Sequence, residues 1–139
     1  MDQTSTTAAR KGKTEVLTGI ARARGKAAGE ALVNSQRMGW AFNHVDNETG
    51  IVTVPGADIL GKCVQDKIVV YPTVLGSTSA ACSLYFKCKE SHHGPAAIIC
   101  QQVHWIDISG VSEPPIWIGA NKRHRSAHRR ASEPSIYLR

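Results

Sequence analysis

Apolar residues come along this chain in short runs broken by glycine, proline or charge, and the spacing inside each run tells strand from helix. Lys67 to Tyr71 (KIVVY) is a continuous apolar run ended by Pro72, which predicts a strand buried on both faces. After a short loop, the apolar positions fall at Ala80, Ala81, Leu84, Tyr85 and Cys88, one face of a helix, with Lys87, Lys89 and Glu90 expected to project elsewhere. Gly94-Pro95 stops that helix, since glycine accepts a left-handed cap and proline cannot continue the ladder. Ala96 to Cys100 (AAIIC) is a second buried run. Strand, loop, helix and strand make a βαβ unit, whose strands should lie parallel with a right-handed crossover.

The flanking segments are less regular. Residues 1–13 are polar and aperiodic and read as a flexible arm; Glu15 to Ala23 has the β-branched character of a first strand. Gly25 and Gly29 suggest a turn before a second strand at Glu30 to Val33. Asp46-Asn47-Glu48-Thr49-Gly50 is a turn signal, because Asp, Asn and Gly tolerate tight backbone angles, and Ile51 to Val54 reads as the strand after it. Ile106 to Ile108 and Ile116 to Ile118 are expected as short strands around Pro114-Pro115. From Ala120 the chain is polar and basic without a core pattern. The expected organisation is a flexible arm over 1–13, one β/α domain over 14–119 and a disordered basic tail over 120–139.

Length and charge narrow the function classes. A chain of 139 residues, 42% hydrophobic, suits one compact domain with its own core. The apolar runs fall far short of the roughly 20 residues needed to cross a bilayer. The net charge of +6 is unevenly placed: residues 1–29 hold six Lys/Arg against two acids, 120–139 hold six against one, and 30–119 hold five against eight. The basic excess thus sits in the ends, and Lys122, Arg123, Arg125, Arg129 and Arg130 carry no interleaved aromatic for base stacking, which argues against nucleic-acid binding as the main role. Cys63, Cys82, Cys88 and Cys100 form no CxxC pair, so free, mostly buried thiols in a reducing cytoplasm are expected. Cys88, His92, His93 and Cys100 lack the paired knuckle spacing of a zinc site, and no metal is assigned to this chain.

Gly76-Ser77-Thr78-Ser79 stands where the buried strand ends and the helix begins. There the first helical N–H groups lack internal partners and point outward with the positive end of the dipole, a setting for a carboxylate or phosphate. A hydroxyl in that field is placed to act as a base if a cation or second base stands near it. Capping alone also explains Ser and Thr at this position, and on local pattern it is the stronger reading. The loop lacks the GxxxxGK[ST] spacing of a P-loop and the GxSxG of a hydrolase elbow.

Several pieces in order extend the picture: Gly25-Lys-Ala-Ala-Gly29-Glu-Ala-Leu-Val33, Val45-Asp46 with Thr49-Gly50-Ile51, Gly61-Lys62, Lys67 to Pro72, Gly76 to Ser79, and Gly94 to Ile99. Together this set resembles the small component of the aconitase X family over roughly residues 14–100. The resemblance implies a swivelling β/β/α domain with a mixed sheet, part of a hydro-lyase that dehydrates a hydroxy acid such as 3-hydroxyproline or phosphomevalonate. It implies Ser77 as the catalytic base, with Gly76, Ser77, Thr78 and Ser79 contacting substrate. It further implies a large catalytic component as partner, holding the iron–sulfur cluster or metal, with no cofactor bound by this chain. The chain departs from the family pattern at Val74-Leu75, where basic and glycine residues are frequent, and at Ala80-Ala81.

The alternative is a non-enzymatic binding or scaffold module on the same fold that uses its basic tail, since one architecture hosts many activities. Deleting residues 120–139 separates the two, because only the scaffold reading predicts loss of partner binding.

Overall fold

The structure, a computed structural model, describes residues 16–23, 25–110, 117–121 and 136–138. The expected flexible arm at 1–13 and most of the basic tail lie outside them. The elements are β1 (Gly19–Ala21), β2 (Ala27–Gly29), β3 (Ala31–Val33), β4 (Ile68–Thr73), α1 (Thr78–Lys89), β5 (Ala97–Gln102), α2 (Trp105–Gly110), β6 (Trp117–Asn121) and β7 (Ile136–Leu138). Five strands form one sheet in the order β1-β6-β5-β4-β3, parallel throughout except for β1, which runs antiparallel to β6. A second, two-stranded sheet pairs β2 with β7.

Alternation along the two central strands builds the layers. Val69 and Tyr71 of β4 and Ile98 and Cys100 of β5 face the main core, where they meet Ala80, Ala81 and Leu84 of α1. Ile68 and Ala97 point to the opposite face and pack with Val70, Ile99, Ala21 and Ala27 of β2. The result is small sheet, main sheet and helices in three layers, the mixed β/β/α arrangement expected. Both strands are buried on both faces, which is why they read as unbroken apolar runs. The long connection from β3 to β4 closes the helical side, contributing Met38, Trp40, Val45, Val52, Ile59 and Val64 to the main core.

The βαβ unit is present, with β4 and β5 paired in parallel from Ile68↔Ala97 to Thr73↔Gln102. Pro72 does not end β4, which runs on to Thr73. On the β3 side the ladder uses Ile68 and Val70, donating to Glu30 O and accepting from Asn34 N. The same parity turns the Pro72 nitrogen toward the side on which β3 has already ended, so the missing N–H costs no ladder bond.

Other expectations are corrected. Ile106 to Ile108 is not a strand but lies within helix α2, started by Asp107 accepting the N–H of His104 at 3.2 Å, the reach-back of a capping box. Ile51 to Val54 forms only isolated bridges, Val45↔Val52 and Ile51↔Cys63. The turn before it is held by Asp46, whose Oδ1 accepts from Glu48 N, Thr49 N and Thr49 Oγ1. Of the four cysteines only Cys100 is fully buried, and Cys82 is exposed. Within the stretch expected as a tail, Ala120 and Asn121 complete β6 and Ile136–Leu138 pairs with β2.

Candidate functional site

β3, β4, β5 and β6 are parallel, so their carboxyl ends share one edge of the main sheet, where ligands of open α/β sheets are commonly met. Gly76 to Ser79 lies at that edge, between β4 and α1, and all four residues are exposed. Gly76 has φ +138°, a region closed to other residues, and a Cβ there would stand 3.2 Å from that of Ala80. Its glycine therefore allows the chain to turn directly from strand into helix.

Ser77 occupies the N-cap position with φ −115° and ψ −172°, but its side chain makes no capping hydrogen bond. Its carbonyl takes the first helical bond, from Ala80 N at 2.9 Å. The Ser77 and Ser79 hydroxyls lie 3.1 Å apart, each partnering the other. Capping by the side chain, the stronger reading of the local pattern, is thus not what the geometry contains. Two hydroxyls and the open end of a twelve-residue helix form a neutral, hydrogen-bonding cradle with the helix dipole behind it. Residues 73–79 themselves contain no ionisable side chain.

A buried polar network runs through the helical side of the main sheet. Lys87, expected to project away from the core, is fully buried. It sits seven residues after Ala80 and three after Leu84, on the same stripe of α1, so its spacing was already that of a core position. Its Nζ donates to Asn47 Oδ1 (2.6 Å), Trp40 O (2.8 Å) and Ser83 Oγ (3.0 Å). Burial of the ammonium lowers its pKa to about 8, against the weaker opposing pull of Cys88 and Asp46. From Trp40 the network continues: its indole Nε1 donates to the Tyr71 hydroxyl at 2.9 Å, and Tyr71 donates to Asp107 Oδ1 at 2.6 Å. Burial pushes the Asp107 carboxyl above its usual range, opposed by the Tyr71 and His104 bonds, and it pushes Tyr71 far up as well. One chain of bonds therefore ties α1, the β3–β4 connection, β4 and α2 together. Only in three dimensions do these residues meet, which is why no local motif signalled them.

Comparison with known proteins matches residues 16–125 to the aconitase X swivel domain. The phosphomevalonate dehydratase small subunit of Methanococcoides burtonii is 40% identical over 98 residues, covering 70% of this chain and 64% of that one. That of Thermococcus kodakarensis is 35% identical over 99 residues, covering 70% and 73%. The chain spans just under two thirds of the length of the Methanococcoides burtonii relative. The crystal structure of Thermococcus kodakaraensis aconitase X in its holo-form superposes with a TM-score of 0.70 at 34% identity, covering 75% of this chain and 78% of that one. Sequence order, layer arrangement and these likenesses agree, and the chain belongs to the aconitase X swivel domain family.

Proposed function

We propose that this chain is the swivelling small component of an aconitase X type hydro-lyase, active with a larger catalytic component. The substrate we propose is phosphomevalonate, on the names of the relatives it resembles. The observation that carries the reading is the exposed Ser77 hydroxyl at the opening of α1, unspent on the helix it precedes. Dehydration needs a base for the proton on carbon and an acid for the departing hydroxyl. Ser77 takes the first role, with Gly76, Thr78 and Ser79 orienting the substrate through backbone and hydroxyl groups. Ser79 accepts or donates to Ser77 at 3.1 Å and can hold the hydroxyl proton aside.

A serine is a weak base unless a charge or a second base assists it, and the loop supplies neither. In this reading the larger component brings that group on closure. In this reading the donors for an ion belong to the larger component as well. There an iron–sulfur cluster or metal supplies a Lewis acid for the leaving oxygen. No helix among the described residues is long and apolar enough to cross a membrane.

Co-expression with the large component of the Methanococcoides burtonii dehydratase tests the proposal. Phosphomevalonate should be dehydrated, as read by mass spectrometry of the product, and 3-hydroxyproline serves as the competing substrate. Ser77→Ala should lower turnover by at least about 100-fold, the contribution of a positioned base, with assembly intact. Unchanged turnover in Ser77→Ala removes its role.

A further inference from the structure

We propose that Arg37 holds the phosphate end of the substrate beside the serine loop, as a specificity-determining residue supplied by the β3–β4 connection. This rests on the proposed function and deepens it, because it assigns to this chain a group that tells a phosphorylated hydroxy acid from a plain one.

Backbone register brings Arg37 to the loop. Beyond β3 the chain stays beside β4: Asn34 N donates to Val70 O at 2.8 Å, Met38 N donates to Thr73 O at 3.1 Å, and Leu75 N donates back to Met38 O at 2.7 Å. Met38 thereby pairs in parallel with Val74, two residues before Gly76. From Asn34 to Met38 is four steps of chain against three from Val70 to Thr73, so one extra residue is taken up and the stretch 35–37 bulges from the edge. Pro72 stands along that stretch of β4 with no N–H to offer it. Buried anchors fix the bulge on either side. Asn34, 2% exposed, donates its amide to Gln36 O at 2.9 Å, and Met38, 1% exposed, sits in the main core. Asp58 accepts the N–H of Ser35 at 2.6 Å. Arg37 is exposed on this fixed backbone, and among the described residues no carboxylate pairs with its guanidinium.

Reach and chemistry then choose the ligand. Val74 to Ser77 is three residues, at most about 11 Å of extended chain and less through the turn at Gly76. The substrate chain and an arginine side chain together cover that interval. The carbon that gives up its proton is the one beside the carboxylate, which acidifies it. With Ser77 as base, the carboxylate end therefore lies at the opening of α1, and the phosphate at the other end of phosphomevalonate lies away from it. A guanidinium meets a phosphate with two parallel hydrogen bonds and a full opposite charge, neither of which the serine hydroxyls supply. Three other cations are spent or remote: Lys67 at the start of β4 is paired with Glu30, Lys87 is buried, and Lys89 is in the last turn of α1.

Steady-state kinetics of the full chain, assembled with the Methanococcoides burtonii large component, test this. Arg37→Gln should raise KM for phosphomevalonate at least about 10-fold, the loss of a charge-assisted hydrogen bond, with kcat within about threefold. Arg37→Lys, which keeps the charge without the fork, should recover part of that loss. Mevalonate, which has no phosphate, should inhibit the wild type and Arg37→Gln equally. Lys89→Gln, at the far end of α1, should leave KM within about twofold of the wild type. An unchanged KM in Arg37→Gln overturns the assignment and leaves the proposed function standing. So does a rise in KM matched by an equal loss of mevalonate inhibition, the mark of a distorted loop. A wild-type assembly that does not turn over phosphomevalonate overturns the proposed function and this inference with it.

Discussion

Lys87 makes the stability of this fold depend on pH in a direction opposite to that of its thiols. In the folded chain the buried ammonium gives up its proton at about pH 8, against an ordinary 10.5. Between those values the unfolded chain holds the extra proton, so stability rises with pH, by as much as about 1.4 kcal/mol per pH unit. Integrated from pH 7 to 9, Lys87 adds on the order of 1 kcal/mol. Burial raises Cys88 and Cys100 to about 12 from 9.0, so across the same window the unfolded chain loses thiol protons that the folded chain keeps. Together these subtract a smaller amount by pH 9, since the unfolded thiols are only half ionised there.

The wild type should therefore gain a little stability between pH 7 and 9 before the thiols take over. Lys87→Met keeps much of the side-chain volume and removes the titration, and should instead lose stability across the same interval, so that wild-type minus variant stability rises by about 1 kcal/mol. The measurement is urea unfolding at closely spaced pH values under reducing conditions, followed by the fluorescence of buried Trp40 and by far-ultraviolet dichroism. Taking the difference between the two proteins cancels the titrating groups that do not interact with Lys87. A wild-type-minus-variant stability that stays constant from pH 7 to 9, or falls, refutes the idea that Lys87 is charged and desolvated within this core.

Tyr71→Phe strands the buried Trp40 Nε1–H and one oxygen of Asp107, and should cost about 3 kcal/mol in urea unfolding with the secondary structure retained. Ser77→Ala should change stability by less than about 0.5 kcal/mol, where a true capping serine would cost about 1, because its hydroxyl bonds to Ser79 and not to the helix. That contrast, read beside the turnover of the same variant, separates chemistry from capping.

Much of the architecture was legible because period and local chemistry coincide with it. The runs at 67–71 and 96–100 became β4 and β5, the periodic stretch between them became α1, and Asp46 to Gly50 became the turn its composition implied. Ile106 to Ile108 was misread because three apolar or capping residues fit a strand and a helical first turn equally well. The reach-back of Asp107 to His104 and packing against α1 decided for helix. Lys87 was placed outside because lysine is rarely buried, although its position on the stripe of Ala80 and Leu84 pointed inward.

For the site the division is similar. The sequence by itself determined that Gly76 to Ser79 joins a buried strand to a helix, since that follows from one βαβ unit and short-range patterning. Only the tertiary structure decided that the Ser77 hydroxyl is turned from the helix toward Ser79, because a cap and a free hydroxyl share the same residue types and differ by a rotation about one bond. It alone brought Trp40, Tyr71, Lys87 and Asp107 into one network. Those residues are separated by long stretches of chain, and their meeting depends on how both helices and the β3–β4 connection pack on β4, a property that no window of the sequence contains.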